Sequence, residues 1–379
     1  DDGLRTPFYR VTLNDAGAIV SLVDREDGRE WSAGALNTLV TARDVPVRWD
    51  AWDIDVDYEL SLRDETRVES MELLSHGPVA VVFRRRMRLG ERSEALQDTI
   101  FYAHTRRIDF RTRVDWQERH RLLKASFPTS VDPPTVRSGV QYGWIERPTH
   151  RNREADRAMF EIPGHGYSAL TEPDATVAVM AAEKYGYDVR DGRIRITLLK
   201  SAAAPDETAE AGLHEFSYSF YAEPREFAAG GVGREVYELL SPVFARVGRR
   251  ADASGDGGAR SSDEFGDGLV AIEAEGVYVD WIKEAEDGRG IVVRLYEGRG
   301  TASRATLRFG FRVAAVERTN MLEDGGAAAD AADDADAADE GERVAGDTPS
   351  HVGVAVSPDG AVRLSLHRFE VVTVRVVPA

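Results

Sequence analysis

Polar and apolar residues alternate in short runs along most of the 379-residue chain. This period-two pattern predicts antiparallel strands rather than helices. Tyr9, Val11 and Leu13 alternate with polar residues, and Asn14-Asp15-Ala16-Gly17 then supplies a turn before Ile19 to Val23. That is a hairpin signature. In Ile108 to Trp116, the apolar Ile108, Phe110, Val114 and Trp116 fall on one face. Asp109, Arg111, Arg113 and Asp115 fall on the other, as in a strand with one side against a core. Further hairpins are marked by Asp191-Gly192 ahead of Ile194, Ile196 and Leu198, and by Pro358-Asp359-Gly360 between two Val-rich runs. Helical periodicity is confined to Arg234–Leu240.

Many short strands with Gly and Asp turns predict a mostly β protein built of sandwiches. A large antiparallel β-sandwich is expected over residues 1–247, followed by a flexible Gly/Ala/Ser/Asp-rich linker at 248–268. A smaller C-terminal β-sandwich domain is expected over 269–379. Within it, Glu323 to Glu342 carries nine acidic residues and no basic ones, among Ala and Gly. Such a segment has no apolar surface to bury and reads as a disordered, solvated loop.

Charge narrows the partners. There are 66 acidic and 48 basic residues, for a net charge of −18. A surface of that sign repels phosphates, which argues against nucleic acid. Only Lys124, Lys184, Lys200 and Lys283 are lysines; the other basic residues are Arg. An acidic, Lys-poor, Ala-rich composition fits a salt-loaded cytoplasm, where high ionic strength screens self-repulsion, or a GC-rich genome that favours Arg and Ala codons. Cysteine is absent, which removes disulfides and thiolate metal sites. No run of 18 apolar residues occurs to span a bilayer. The chain opens on Asp1 with no Met and no signal pattern. This suggests a fragment or processed product, and a cytoplasmic location.

Phosphate-binding loops, an HExxH pair and a serine elbow are all missing. His150 and His165 with Asp156 and Glu161 form only a loose cluster. Four segments carry candidate chemistry. In Arg48 to Asp55, Trp49 and Trp52 lie among Asp50, Asp53 and Asp55. Indole faces pack on a pyranose and carboxylates accept from its hydroxyls, although the same residues also suit a corner whose Trp side chains plug a core. Gln141 to Asn152 holds Tyr142, Trp144, Glu146, Arg147 and His150, and either lines a polyhydroxylated ligand or braces a neighbouring domain. Glu183 to Asp188 places Tyr185 and Tyr187 around Gly186, as packed rings of a tight turn or as ligand-facing phenols. Leu198 to Asp206 with Gly212 to Phe216 includes Lys200, a rare lysine in an Arg-biased chain.

In that order, these four segments resemble family 38 α-mannosidases. Met159 to Asp174, Val292 to Gly300, Thr319 to Glu323 and Leu366 to Val376 continue the likeness. The resemblance implies a galactose-mutarotase-like supersandwich and a smaller sandwich, standing C-terminal to a catalytic domain and a helix bundle. It also implies retaining hydrolysis of terminal α-mannosyl residues, with zinc and the reactive carboxylates in an N-terminal catalytic domain outside this chain. No catalytic residue and no metal ligand is then expected here. By position, Trp49-Asp50-Ala51-Trp52 matches a turn that gives the pocket a Tyr in one branch of the family. Trp52 would stand for that Tyr, Asp53 or Asp55 would reach a hydroxyl, and Lys200 would stand at or beside a pocket Arg. Trp52, Asp53, Asp55, Tyr185 and Lys200 are therefore the expected substrate contacts. The partners are a mannose-containing glycan and the N-terminal catalytic domain. Two other readings stay open: a stand-alone carbohydrate-binding or scaffold module, and an unrelated lyase- or mutarotase-like sandwich.

Overall fold

The structure, a computed structural model, describes residues 3–244, 268–325 and 354–379. The chain divides into two compact units, Asp1–Pro242 and Val243–Ala379.

The first unit is built on a nine-stranded antiparallel sheet. Its strands run in the order Gly143–Pro148, Thr135–Val140, Gly166–Glu172, Ala175–Ala181, Gly212–Glu223, Ile108–Trp116, Ser93–Tyr102, Ala80–Leu89 and Thr66–His76. Facing it is a five-stranded sheet in the order Ile162–Pro163, Gly186–Arg190, Arg193–Lys200, Arg121–Pro128 and Thr38–Arg43. Leu4–Arg5, Tyr9–Leu13 and Ile19–Asp24 add a three-stranded sheet. The alternation in Ile108–Trp116 is realised: Phe110, Val114 and Trp116 are buried while Arg111, Arg113 and Asp115 are exposed. Asp109 departs from the pattern and is buried, because Arg107, Tyr102 and Ser219 all bond its carboxylate.

Aromatic rings join the two larger sheets. Phe127 of the five-stranded sheet stacks on Phe220 of the nine-stranded one at 5.5 Å and 9°. It also meets Phe110 at 5.7 Å and the edge of Tyr218 at 6.2 Å. Asp191 and Gly192 have φ of 50° and 66°. Two consecutive left-handed residues make the turn that matches strand twist in a two-residue hairpin, and Asp-Gly adopts it at little cost. The short helix Val232–Leu240 packs Val232 and Val236 on Tyr167, Met180 and Phe227.

The outer face of the five-stranded sheet carries the excursion between Thr38–Arg43 and Thr66–His76. Ala42 and Leu122 are buried there with Tyr58, beside Ile54, Leu62 and Phe160. Period two then puts Lys124 on that outer face with Leu122, while Leu123, Ala125 and Phe127 turn into the main core.

In the second unit, two four-stranded sheets pack as a sandwich. One is Val270–Glu273, Ser303–Phe309, Val362–Leu366 and Ala355–Val356; the other is Val277–Glu284, Ile291–Glu297, Val371–Pro378 and Val313–Thr319. Leu307 and Leu364 meet Val293, Leu295 and Val374 in its core. One expectation needs correction here. Glu323 does not open a solvated loop: it is buried, its carboxylate takes Lys283 at 2.7 Å and the Glu286 N–H at 2.9 Å, and those bonds offset its desolvation. The remaining acidic stretch from 326, and the expected linker up to 267, lie outside the described residues.

Candidate functional site

Where the strand Thr38–Arg43 ends, Asp44 turns inward. Its backbone N–H donates to the His120 carbonyl at 2.8 Å, and its carboxylate binds the Lys200 ammonium. Burial pushes the Asp44 carboxyl above the usual carboxylate value, and Lys200 opposes that rise. The chain then runs outward to Trp49, whose φ of 59° and carbonyl (accepting from Trp52 N–H at 2.7 Å and Asp53 N–H at 2.9 Å) close a tight turn. Asp50 ties that turn to the segment after Lys200: one carboxylate oxygen accepts from the N–H groups of Ala203 at 2.7 Å and Ala204 at 3.0 Å. Asp55 accepts from the Val47 N–H at 2.8 Å and closes the loop on itself.

The turn presents apolar surface to solvent. Trp49 is 67% exposed and Trp52 74%; Val47 at 88% and Leu60 at 91% are also exposed on the same excursion. The indoles are therefore not core plugs, while Asp50 and Asp55 do serve the turn as backbone acceptors. Asp53 is exposed, and its carboxylate accepts only from the adjacent Ile54 N–H. Asp50→Ala removes an acceptor from two N–H groups and is expected to cost about 1–3 kcal/mol. The same change should raise the mobility of both indoles in time-resolved fluorescence anisotropy.

Of the five expected contact residues, the structure brings Trp52, Asp53 and Asp55 together on this turn, with Lys200 beneath it. The Lys200 ammonium is engaged by Asp44 rather than presented outward. Tyr185 makes other contacts. It is half-exposed, stacks on His165 at 6.0 Å and 5°, and donates to the Ala182 carbonyl at 3.2 Å. Tyr187 is buried. Tyr142 forms the turn (φ 63°) of an edge hairpin, and Trp144 sits edge-on to Phe227 at 5.9 Å, so that segment completes the nine-stranded sheet. The loose His/acid cluster separates: His150 lies 3.4 Å from Asp156, His165 is on Tyr185, and Glu161 is on Lys124. Among the described residues, no group of three or more His, Asp or Glu is arranged to hold a metal ion.

Sequence reasoning missed a buried charge network. Lys124 is fully buried and binds Glu161 and, at 3.0 Å, Asp188, with its ammonium 5.0 Å from the centre of the Tyr58 ring. Arg195 takes the other Asp188 oxygen at 2.5 Å, and the Tyr58 hydroxyl donates to Glu161 at 2.6 Å. Strand pairing explains the grouping: Thr197 opposes Lys124 and Arg195 opposes Asp188, so all project from the outer face. Burial pushes both carboxyls up. Lys124 and Arg195 outweigh this for Asp188 and hold it below its usual value, whereas Glu161 stays raised despite Lys124. A signal was present in the sequence: Lys124 interrupts the apolar run Leu122 to Phe127.

Residues 4–208 match the profile of the glycosyl hydrolases family 38 C-terminal domain, and residues 276–374 that of the family's C-terminal β-sandwich domain. The chain belongs to glycosyl hydrolase family 38. It is similar to "Alpha-mannosidase G" of Dictyostelium discoideum, with 32% identity over 307 residues that make up 78% of this chain and 27% of the relative. "Alpha-mannosidase 2C1" of Mus musculus is 31% identical over 323 residues, 83% of this chain and 30% of the relative. The chain thus spans under a third of the curated relatives it matches. A crystal structure of an alpha-mannosidase from Enterococcus faecalis shares the fold, with TM-score 0.73 and 13% identity, covering 99% of this chain and 42% of that one. In this family the chain is the C-terminal, mostly β region. No helix among its described residues is long and apolar enough to cross a membrane.

Proposed function

We propose that the chain is the C-terminal portion of an α-mannosidase that removes terminal α-D-mannosyl residues. In this reading the chain buttresses an N-terminal catalytic domain and shapes its substrate pocket. The observation that carries this reading is the exposed Trp49–Trp52 turn, held in place by Asp50 on an excursion that also exposes Val47 and Leu60. An apolar patch rimmed by carboxylates is the kind of surface that a partner domain or a sugar covers.

Hydrolysis with retention needs two carboxylates about 5–5.5 Å apart that flank the glycosidic bond. The family resemblance assigns those groups, and a zinc ion, to the catalytic domain. The described residues here hold no cluster that fits the ion. Within this chain, Trp52 would pack on the apolar face of the sugar, and Asp53 would accept from a hydroxyl. Lys200 and Asp50 would act through the turn they hold rather than by touch. The isolated chain is then inactive on mannosides. Supporting the protein's place in such an enzyme are the family matches and the identity to the two α-mannosidases.

The test uses the complete enzyme. Asp53→Ala is expected to raise KM for an α-mannoside about tenfold, the effect of losing one charge-assisted hydrogen bond. Asp174→Ala, which removes only an exposed pair with Arg29, should leave both constants unchanged. Equal kinetics for the two variants reject the pocket role. Mannoside turnover by the purified 379-residue chain rejects the division of labour.

A further inference from the structure

A cleft of about 290 Å3 opens on the outer face of the five-stranded sheet, between the excursion that carries Glu59 and the segment from Pro148 to Phe160. Its floor is the Asp188–Arg195 pair, which connects to buried Lys124. Its walls carry Arg151, bonded to Glu59 through both nitrogens, and Asp156, which is held by Arg153 at 2.7 Å and faced by His150. Arg190 and Asp191, 3.4 Å apart, stand at the rim. Arg193 also lines the cleft, and among the described residues its guanidinium has no hydrogen-bond or ion-pair partner. Met159 and Phe160 give one apolar side.

Counted by charge, the lining balances: four guanidinium groups (151, 190, 193, 195) face four carboxylates (59, 156, 188, 191). This balance decides the ligand class. An anion would have to draw Arg151 or Arg195 away from carboxylates that are buried or half-buried, or rest on Arg193 alone, and the chain's overall charge of −18 opposes its approach. A cation would compete for carboxylates that already have partners. A polyol disturbs neither, because each hydroxyl both donates and accepts: it can give a proton to a spare carboxylate lone pair and take one from a spare guanidinium N–H. The volume lies at the lower end of small-molecule clefts, which suits one sugar ring rather than an oligosaccharide. A charge network this deeply buried is costly to keep, and perturbed carboxyls at the base of a cleft are a common mark of a functional site.

We propose that this cleft is a binding site for one neutral pyranose unit, with Arg193 and Arg151 donating to its hydroxyls, Glu59 and Asp188 accepting from them, and Phe160 against a C–H face. The site is built from this chain's own residues, so it goes beyond the hydrolase reading and can fail without it.

Saturation-transfer NMR and amide chemical shifts on the 379-residue chain test this, with methyl α-D-mannopyranoside, D-glucose, D-glucuronate and inorganic phosphate as probes. The expected result is saturable binding of at least one neutral sugar, with a dissociation constant on the order of millimolar. Shifts should centre on Thr149 to Arg151 and on Arg190 to Arg195. Arg193→Ala disturbs no internal bond and should fold normally, yet weaken binding about tenfold. Four outcomes overturn the proposal: no saturable binding; binding unchanged by Arg193→Ala; binding abolished by Trp52→Ala while Arg193→Ala retains it, which assigns the sugar to the aromatic turn; or preference for glucuronate or phosphate over the neutral sugars. A chain that binds no sugar but completes an active mannosidase loses the cleft and keeps the proposed function.

Discussion

Lys124→Met is expected to destabilise the first unit by about 3–5 kcal/mol, the usual cost of removing one partner from a buried ion pair. For a unit of this size that corresponds to a fall of about 10 °C in the midpoint of thermal unfolding, measurable by calorimetry or circular dichroism. The methionine fills nearly the same volume, so the loss is electrostatic. Without the ammonium, Glu161 keeps only the Tyr58 hydroxyl, and Asp188 keeps Arg195 and a longer contact with the same hydroxyl at 3.3 Å. Both carboxyls then move toward the protonated form, Glu161 from a value that is already raised. A buried acid whose folded-state pKa exceeds its unfolded value binds more protons when folded, so its stabilising effect is present at low pH and lost as pH rises through the folded value. The deficit of Lys124→Met should therefore shrink between pH 7 and pH 5. The wild-type chain should behave in the opposite sense at its Asp188 site. That carboxyl is held below its ordinary value, so its contribution is present above the unfolded value and fades only as pH falls through the lower folded one. Adding Glu161→Gln to Lys124→Met removes one stranded charge and should recover part of the loss at pH 7. A deficit that stays constant with pH and ignores the second change would show that Lys124 acts by packing alone.

That network also marks the limit of what the sequence shows. Period-two patterning placed the strands correctly because each strand has one face on a core, as in Ile108–Trp116, and Asp-Gly announced the 191–192 turn because few other pairs adopt two left-handed residues. Patterning cannot tell that the outer face of a sheet is covered as well. Residues 44–65 cover it by folding back over Leu122 and Lys124, an event decided by the burial of Tyr58 against Ala42, which lies 16 positions away in the chain. In the sequence Asp188 only closes the segment Glu183 to Asp188, and its meaning depends on Lys124 and Arg195 across two strand registers. The same limit applies to Lys200. Its rarity pointed to a role, but only the fold shows that Asp44, 156 residues away, takes its charge. Tyr185 was singled out by chemistry alone, and only the fold shows that its ring stacks on His165.

Aromatic residues separate into two populations that one pair of substitutions can distinguish. Phe127→Ala empties the centre of the ring stack between the two larger sheets, where Phe110, Tyr218 and Phe220 all contact it. Loss of transfer energy and the cavity left behind together set the expected cost at about 3–5 kcal/mol. Rigid β neighbours cannot collapse into the space, so the upper half of that range is expected. Trp52→Ala removes a larger side chain, yet in this chain it should change stability by less than about 0.5 kcal/mol, because the indole is 74% exposed and touches no core. Chemical denaturation of the 379-residue chain checks both values at once. The order reverses in the complete enzyme if the turn packs on a catalytic domain: Trp52→Ala then costs kcat/KM or domain association, while Phe127→Ala costs stability alone. A large stability loss from Trp52→Ala in this chain would mean that the indole is already covered by its own fold, and the turn would then have no free surface to offer a partner.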